Sequence, residues 1–535
     1  MKVPVAQVAQ GRRTASRSRP LSQHPGRAFS GDFRGGESVL HSGSMDNTVV
    51  RDNIEVLSGC APEDVWREFA ALSAIPRCSK QEAEARAYVV RRAEELGLEH
   101  ESDEVGNLVL RKPAAAGREN RATVVLQGHL DMVCEKNTET EHDFATEGIR
   151  FRRDGDWLRA VGTTLGADNG VAVAAMLAVL SGDYAHGPLE ALFTVDEETG
   201  LTGASGLDPK LIKGRVLLNL DSEEEGAFTV GCAGGINTRG ELPARLQAPP
   251  SGGQAVRIAV RGLAGGHSGI EINKGLGNAV SIAGRLLLRL SERCGLRLAE
   301  LRGGEKHNAI PRECFATAVL DGGALEEAER IVGEFESEVQ NEYRAIDPKV
   351  RVVLERLEAL PKHALEPEQS LTVARLLRAV PHGVLAMSAE VPGLVESSTN
   401  FAAVELAEGV LRILTSQRSS VASRVREGSE RVRSAIELAG GKAETNDGYA
   451  PWEPNPESQL LATASRVYAE REGRDPEIGV IHAGLECGVI GSKLEGMDML
   501  SFGPDIRGAH SPDERVSISS TERVFAFLVA LLERL

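Results

Sequence analysis

A histidine and an aspartate stand two positions apart at the end of an apolar stretch, in VVLQGHLDMV (124–133). Residues i and i+2 of an extended chain project to the same face, so His129 and Asp131 would point the same way. A metal-binding histidine usually has its second ring nitrogen held by a carboxylate, which fixes the tautomer and the ring orientation. The spacing therefore predicts a metal ligand with its orienting group, although a single His-x-Asp is more often an ordinary surface or core pair.

Further carboxylates occupy comparable positions along the chain. Asp168 in LGADNG precedes an apolar helical segment, where an aspartate commonly caps the helix instead. Glu197 and Glu198 lie side by side after ALFTV. Two adjacent ionised carboxylates repel each other unless a cation binds between them or one of them is protonated. Asp221 ends VLLNL, and the glutamates at 223–225 that follow it are interpreted as solvated charge.

The fifth candidate ligand is His510, in the loop sequence GAHSPDE. Each candidate alone has an ordinary explanation, as a helix cap, a solvated loop carboxylate or a loop histidine. Taken together, two histidines and three carboxylates suit Zn²⁺, with Co²⁺ or Mn²⁺ as alternatives because the donor types do not decide between them. Five ligands exceed the needs of one open catalytic zinc, whereas two ions about 3.5–4 Å apart that share a carboxylate would use all five.

The elements that must position these groups alternate between strand and helix. Apolar, strand-like runs lead to His129, to Glu197 and to Asp221, and a strongly helical segment covers 171–180. This alternation predicts a mainly parallel α/β sheet, in which ligands bind beyond the carboxyl ends of the strands. The candidate ligands on these segments would fall at that edge.

The middle of the chain has a different pattern. From about residue 237, strand-like QAVRIAVRGL and FATAVL flank the helix-like NAVSIAGRLLLRLSERC, and further helices are predicted near 325–345 and 420–439. No repeat at a fixed period is present. We therefore predict a discontinuous α/β catalytic domain, interrupted by an inserted α+β lid domain. The predicted boundaries are 45–236 and 446–535 for the catalytic domain and 237–445 for the lid.

Composition limits the partners. The net charge of −17 argues against a nucleic-acid partner, because phosphate recognition needs a concentrated basic face. No apolar run approaches the ~18 residues that a membrane span needs. The seven cysteines include no CxxC pair, so a reduced, cytoplasmic compartment is the simplest interpretation. Residues 1–44 are rich in arginine, as in an organelle transit peptide, and are interpreted as a disordered extension, with Met45 as an alternative start.

Nine short motifs occur in this order along the chain: GHLDMV, GTTLGADNG, DEETGLTGA, LNLDSEEEG, GCAGG, GGHSG, NAIPRE, IHAGLECG and GAHSPDE. In these motifs the chain resembles the aminoacyl-histidine dipeptidases (peptidase D, Xaa-His dipeptidase). That group belongs to a dinuclear-zinc superfamily that also includes carnosinases, aminoacylases and acetylornithine deacetylases. The resemblance runs from about residue 60 to the end, is weakest around 320–395 and does not cover 1–44.

The resemblance implies a role for each candidate ligand. His129 and Asp221 would bind one zinc ion, Glu198 and His510 would bind the other, and Asp168 would bridge the two. The residues alone establish no such division.

The implied reaction is the hydrolysis of dipeptides, with a preference for a C-terminal histidine. Two zinc ions would lower the pKa of a shared water toward neutrality, so that hydroxide attacks the peptide carbonyl. By resemblance, Glu197 is the general base and Asp131 holds His129 in place. The residues alone predict only that one of the two adjacent glutamates coordinates while the other moves protons. His267 in GGHSG of the lid is similar to a family residue that stabilises the tetrahedral oxyanion.

Other lid and loop residues are implied in substrate binding. Arg418, which ends GVLRILTSQR, matches an arginine that clamps the substrate carboxylate, a task that suits a bidentate guanidinium. Its ordinary explanation is an exposed arginine at a strand end. Asn308 would hydrogen-bond the substrate or fix a turn, and the backbone near Gly484 would line the pocket. His482 is interpreted as structural rather than as a ligand.

Alternative functions remain open at this point. An N-acyl-amino-acid deacylase would use the same dinuclear site, and a non-catalytic relative would bind metal or peptide on the same fold. A serine hydrolase is disfavoured, because GHSGI from Gly266 breaks the G-x-S-x-G pattern at its last position. An oxyanion donor on an inserted domain implies hinge closure over the substrate. In related enzymes this histidine can come from a second subunit, which leaves a homodimer open.

Overall fold

The computed structural model describes residues 47–389, 391–446 and 448–535. The extension expected at residues 1–44 and the alternative start at Met45 lie outside the described residues. None of the helices in the described part is long and apolar enough to cross a bilayer.

Helices and strands alternate through most of the described chain. The α-helices are α1 (Asn47–Val56), α2 (Glu63–Ser73), α3 (Ala83–Glu95), α4 (Ala167–Ser181), α5 (Thr202–Gly206), α6 (Ala279–Cys294), α7 (Leu325–Glu342), α8 (Pro367–Ala379), α9 (Ala422–Leu438), α10 (Gln459–Glu472), α11 (Glu486–Lys493) and α12 (Ile518–Arg534). Short 3₁₀ turns cover Pro209–Leu211 and Ile272–Lys274.

The strands fall into two large sheets and three small ones. They are β1 (Glu99–Ser102), β2 (Leu108–Lys112), β3 (Val124–His129), β4 (Phe151–Asp154), β5 (Trp157–Ala160), β6 (Leu189–Thr194), β7 (Val216–Asn219), β8 (Ala227–Cys232), β9 (Gly234–Pro243), β10 (Leu246–Gln247), β11 (Gln254–Arg261), β12 (Gly266–His267), β13 (Arg297–Gly303), β14 (Ala309–Ile310), β15 (Cys314–Leu320), β16 (Arg351–Arg356), β17 (Ala364–Leu365), β18 (Gly383–Met387), β19 (Val395–Ala407), β20 (Val410–Ser419), β21 (Lys442–Thr445), β22 (Glu477–Ile481), β23 (Asp498–Ser501), β24 (Ile506–Arg507) and β25 (Arg515–Ser517).

The first large sheet has the strand order β1-β2-β6-β3-β7-β23-β8-β22. Its centre is parallel: β3 runs parallel to β6 on one side and to β7 on the other, and β23 runs parallel to β7. The edge strands β1 and β2 are antiparallel, whereas β22 is parallel to β8. The prediction of a mainly parallel α/β sheet is therefore confirmed.

The central strands are largely apolar because they are buried on both faces. All six residues of β3 are buried, as expected for a parallel strand covered by helices on each side. Alternate side chains enter different cores: Val124 and Leu126 pack in the core that contains α4, and Val125 packs in the core that contains α11. The helix α4 is buried along nearly its whole length, which explains why its apolar residues are not confined to one stripe.

A four-stranded antiparallel sheet, in the order β24-β25-β5-β4, carries one of the predicted site residues. The loop between β24 and β25 contains the GAHSPDE motif. Within this loop His510 has a left-handed backbone, with φ of 62°. Few non-glycine residues adopt that conformation, so the surrounding structure must hold the histidine there.

The second large sheet forms the lid and consists of two similar units. Its order is β16-β11-β15-β13-β19-β20-β9-β21, with β18 also paired to β19. The inner unit contains β11, α6, β13, β15, α7 and β16, and the outer unit contains β9, α8, β19, β20, α9 and β21. Each unit is a βαββαβ arrangement in which the first and third strands lie at the centre. The units meet where their second strands, β13 and β19, pair antiparallel, and one hydrophobic core joins them.

The chain leaves the first large sheet after β8 and returns to it after β21. These crossings place Ala233 and Asn446 between the two sheets. We propose them as the limits of the lid, close to the boundaries of 237 and 446 that the sequence pattern predicts. The expected inserted α+β arrangement is confirmed.

Two of the seven cysteines are joined. Cys78 and Cys134 form a disulfide with their Cα atoms 5.7 Å apart, and the other five cysteines are buried free thiols. Nothing in the sequence pattern predicts this bond, because its partners share no motif and are separated by 56 positions. The bond departs from the reduced state that the cysteine pattern predicts, with which only the five free thiols agree. The bond ties the segment before Ser79 to the loop that follows Asp131.

Candidate active site and metal centre

Neighbouring parallel strands bring three of the predicted segments together. His129 is the last residue of β3, Glu197 and Glu198 follow β6, and Asp221 follows β7. Because β3 is adjacent and parallel to both other strands, the three carboxyl ends meet at one edge of the sheet. This is the edge at which the alternating pattern places a ligand site.

Asp168 lies between the two candidate histidines. Its Oδ1 is 3.1 Å from Nε2 of His129, and its Oδ2 is 3.2 Å from Nε2 of His510. The Asp168 side chain does not serve as a cap of α4, because the backbone of Asp168 is non-helical and both of its carboxylate oxygens face histidines. A single carboxylate thus faces two imidazoles, one through each oxygen.

The remaining candidates complete two groups around Asp168. Nε2 of His129 is also 3.4 Å from Oδ1 of Asp221, and Nε2 of His510 is 3.0 Å from Oε2 of Glu198. In each group the potential ligand atoms lie within 4.8 Å of one another. The structure therefore brings together all five residues that the sequence singles out as ligands.

Asp131 organises the site from behind His129. Its Oδ1 is 3.3 Å from Nδ1 of His129, on the ring nitrogen opposite the one that faces Asp168. The backbone N–H groups of Glu197 and Glu198 and the hydroxyl of Ser79 donate to the same carboxylate. Although burial opposes ionisation, the contact with His129 and these donors lower the pKa of Asp131 to about 2. The ionised carboxylate therefore fixes both the imidazole and the backbone of the adjacent glutamates.

The donor set fits divalent cations. Hydrogen bonds to Asp168 and Glu198 raise the pKa of His510 to about 11, so this cluster of carboxylates favours positive charge. Oε1 of Glu198 is buried and has no hydrogen-bond partner within the part of the chain that the structure describes. A buried carboxylate oxygen without a donor is costly unless a cation binds it. Imidazole and carboxylate donors in this number suit Zn²⁺, Co²⁺ or Mn²⁺.

Glu197 differs from its neighbour Glu198. Its carboxylate belongs to a group with His129 and Glu198 but makes no ion pair with either histidine of the site. Burial raises the pKa of Glu197 well above its ordinary value, and the negative charges of Asp221 and Glu198 act in the same direction. A carboxyl group with a raised pKa next to the candidate ligands is suited to accepting and returning a proton.

The lid contributes His267 and Asn308 as neighbours. His267 ends β12, which pairs with β14 so that His267 stands opposite Ala309, and the N–H of Ser268 donates to the carbonyl of Asn308. Nδ1 of His267 accepts from the N–H groups of Gly269 and Ile270, each at 3.3 Å. A neutral imidazole that accepts at Nδ1 carries its hydrogen on Nε2, where it can be donated.

Burial and the charge of Arg418 lower the pKa of His267 to about 4, and the charge of His510 acts in the same direction. The imidazole is therefore neutral near pH 7.

Arg418 is buried, with 7% of its surface exposed, and is not at an exposed strand end. One of its terminal nitrogens donates to the hydroxyl of Tyr449 at 2.7 Å, while its Nε has no partner among the described residues. No described carboxylate lies within ion-pair distance of it. A buried guanidinium without an anionic partner is costly and is suited to an anionic ligand.

The loop that carries Gly484 packs against Tyr449, the hydrogen-bond partner of Arg418. Gly484 lies so close to Tyr449 that a Cβ added there would be 2.8 Å from the tyrosine ring. His482 hydrogen-bonds the hydroxyl of Ser398 in the lid at 2.7 Å and makes no contact with the candidate ligands. This position agrees with its interpretation as structural.

Several residues that support the site have no chemical signature in the sequence. The backbone N–H groups of residues 165–168 all donate to the buried carboxylate of Glu514, at 2.7–3.2 Å. Asn169 donates to Asp221 at 2.6 Å. Arg77 donates to three backbone carbonyls around the site, including that of Asp131. Glu514 stands in the GAHSPDE motif, which is the only signal that could have indicated it.

The glutamates at 223–225 are not all solvated charge. Glu225 pairs with Arg523 at 2.6 Å and its side chain is 10% exposed, so the expectation of solvation is wrong for this residue. Glu224 is exposed, as expected. Glu223 is exposed as a whole residue, but burial of its carboxyl group and the charges of Asp168 and Asp221 raise its pKa to about 8, so it is not simple solvated charge.

Known proteins resemble this chain in sequence and in fold. A sequence model of peptidase family M20/M25/M40 matches residues 125–534. The cytosol non-specific dipeptidase of Escherichia coli (strain K12) is 40% identical over 484 residues, which cover 90% of this chain and 99% of that protein. The crystal structure of an aminoacylhistidine dipeptidase from Vibrio alginolyticus is 39% identical, with a TM-score of 0.80, and covers 90% of this chain and 98% of that chain. The aminopeptidase PepT from Bacillus cereus ATCC 10987 shares the fold at 17% identity, with a TM-score of 0.51 and coverage of 89% and 98%.

Proposed function

Since the chain belongs to peptidase family M20/M25/M40, we propose that it hydrolyses dipeptides with the help of two metal ions. The observation that carries this proposal is the placement of Asp168, whose two carboxylate oxygens face different histidines. A carboxylate in that position suits a site for two neighbouring cations. The relatives that are 40% and 39% identical are both named dipeptidases, which supports this substrate class.

We assign His129 and Asp221 to one ion, Glu198 and His510 to the other, and Asp168 to both. Zn²⁺ suits these donors, and so do Co²⁺ and Mn²⁺. When bound, such ions would lower the pKa of a coordinated water and polarise the substrate carbonyl.

Glu197 is the proposed general base. Its carboxylate lies among the ligands without being paired to a histidine, so it is free to take the proton of the attacking water. The raised pKa of Glu197 favours holding that proton until it is transferred to the amine that leaves. Asp131 maintains the orientation of His129 during these steps.

His267 is the proposed donor to the carbonyl oxygen, on which negative charge develops. Its Nδ1 is occupied by two backbone N–H groups, so the hydrogen on Nε2 is the one available to an oxyanion. Two arrangements stay open, in which His267 serves the site of its own chain or, in a homodimer, the site of a second subunit.

Arg418 is the proposed clamp for the terminal carboxylate of the substrate. The guanidinium is buried without a carboxylate partner among the described residues, and a dipeptide would supply one. Asn308, beside His267, and the backbone at Gly484 are proposed to line the same pocket.

We further propose a preference for a C-terminal histidine and a cytoplasmic location. The name of the Vibrio alginolyticus relative supports the histidine preference, whereas the Escherichia coli relative is named as non-specific and cytosolic. An N-acyl-amino-acid deacylase is less well supported, because neither of these relatives bears such a name.

Metal analysis combined with a substrate panel tests the proposal. We expect two metal ions per chain, loss of activity with a chelator and recovery with Zn²⁺ or Co²⁺. In the panel, β-alanyl-histidine and Gly-His should be hydrolysed faster than a dipeptide without histidine, and an N-acetyl amino acid should be the poorest substrate.

Three results would contradict it. Full activity of metal-free protein would exclude the metal mechanism, and a strong preference for the acetylated substrate would indicate a deacylase. Absence of any hydrolysis by fully metal-loaded protein would indicate a binding protein.

A further inference from the structure

Tyr449 lies on one of the two chain crossings that connect the catalytic domain with the lid, which together are called the hinge ribbon here. The chain crosses between them twice, and the two crossings pair with each other. Cys232 and Trp452 exchange both of their backbone hydrogen bonds, and so do Gly235 and Tyr449. A cavity of about 330 Å³ lies against Trp452 and Ala422 and leaves space beside this ribbon. Any movement of the lid relative to the catalytic domain must bend the ribbon that carries Tyr449.

The ring of Tyr449 is held between two glycine backbones. A Cβ added at Gly235 would lie 2.7 Å from Cζ of the tyrosine, and one added at Gly484 would lie 2.8 Å from Cε2. Real Cβ atoms do not approach so closely, so the ring occupies space that only glycine leaves free. The direction of the hydroxyl is therefore set by the backbone of the hinge and of the 484 loop.

That hydroxyl is the one side-chain hydrogen-bond partner of Arg418 among the described residues. A guanidinium offers only donors, so the phenolic oxygen accepts from Arg418, at 2.7 Å. No described carboxylate within ion-pair distance shares this task. A phenylalanine would fill the same space between the glycines but would leave the guanidinium without its fixed acceptor.

We propose that Tyr449 is a positioning residue, which holds the guanidinium of Arg418 from the hinge at the place where the terminal carboxylate of a dipeptide is bound. This inference rests on the proposed role of Arg418 as the carboxylate clamp. Because Tyr449 lies on the ribbon that joins the two domains, we expect a change in lid position to displace the clamp, and carboxylate binding to favour the lid position at which the clamp is in place.

Tyr449→Phe tests the inference with two matched substrates, a dipeptide and the same dipeptide with a C-terminal amide. Loss of a hydrogen bond to a charged group should raise KM for the acid about tenfold, with kcat changed less than about twofold. For the amide, kcat/KM should change less than about twofold, because the amide carries no charge for the clamp. The ratio of the two kcat/KM values is measured on one preparation, so it does not depend on the fraction of folded variant.

Two further variants complete the experiment. Tyr343→Phe, at the end of α7 in the lid, is the matched control and should leave the acid-to-amide ratio unchanged. In an Arg418→Met background, Tyr449→Phe should have no further effect on the ratio, because the two residues act together. Equal losses for acid and amide, or additive effects of the two substitutions, would overturn the inference.

Hydrolysis of the acid and the amide by the wild-type protein distinguishes failure of the Arg418 clamp from failure of the role of Tyr449. If it hydrolyses acid and amide equally well, the carboxylate clamp itself is wrong. If it prefers the acid and Tyr449→Phe keeps that preference in full, only the role of Tyr449 is wrong.

Discussion

At the scale of single residues, Glu197→Gln should separate chemistry from metal binding. The amide keeps the shape of the side chain but cannot accept a proton, so kcat should fall about 10²–10⁴-fold. The five candidate ligands are untouched, so the metal content per chain should equal that of the wild type. Turnover and metal content are measured on the same sample.

Glu224→Gln is the control for this substitution, because Glu224 is exposed in the loop after β7. It should alter neither turnover nor metal content. Near-normal turnover of Glu197→Gln would remove Glu197 as the general base.

The residues that carry chemistry could be predicted from the sequence because their types are unusual at strand ends. His129, Asp168 and His510 each had an ordinary explanation, and only their combination in order pointed to one site. Glu514 and Arg77 could not be found in this way, because they bind backbone groups. Any carboxylate or guanidinium at the right distance satisfies a backbone group, so no residue pattern identifies such a role.

At the scale of elements, the backbone conformation of residues 165–168, at the start of α4, depends on Glu514. Its carboxylate accepts from four successive N–H groups, including that of Asp168, and it is 2% exposed. In Glu514→Gln, an NH₂ group would face backbone donors and leave some of them unsatisfied. We expect a loss of about 2–4 kcal/mol in the free energy of unfolding, measured with urea, together with weaker metal binding.

Glu522→Gln provides the comparison, since Glu522 is exposed on α12. Its effect should stay within about 0.5 kcal/mol. A Glu514→Gln protein as stable as this control would show that the four hydrogen bonds contribute little.

Helices and central strands could be predicted from apolar periodicity, as the bounds of α7 and α9 illustrate. The two-unit construction of the lid could not. Its units correspond in strand order, which arises from pairing between segments far apart in sequence, such as β13 with β19. Local sequence patterns carry no information about which strands become neighbours.

At the scale of the whole molecule, three largely buried histidines should each reduce stability on moderate acidification. Burial lowers the pKa of His382 and of His482 to about 4, as it does for His267. Between the ordinary histidine pKa of about 6.5 and pH 4, the unfolded chain binds protons that the folded chain does not. The contribution of these three histidines to the free energy of unfolding is therefore greatest above pH 6.5 and falls through this window, by at most about 1.4 kcal/mol per pH unit for each histidine.

His382→Asn tests one of these contributions. Nδ1 of His382 accepts from Asn278 at 3.2 Å and from the N–H of Phe401 at 3.3 Å, and an asparagine oxygen can take over both bonds. Urea unfolding at pH 7 and at pH 5 should show a smaller loss of stability for this variant than for the wild type. His100→Asn, at an exposed position of β1, should show the wild-type loss. An unchanged loss in His382→Asn would contradict the prediction.

The pairing of β10 with β17 shows how the inner unit of the lid could be removed from the chain by one deletion. Gln247 stands opposite Ala364, so the inner unit enters and leaves the lid at a single point. A tight turn in place of residues 248–363 would excise that unit as a piece, and the gene product would lose His267 and Asn308 with it. The edge of β19 that pairs with β13 would be left without its partner strand. Such a chain would keep all five candidate ligands of the metal centre and lack the lid residues at positions 267 and 308.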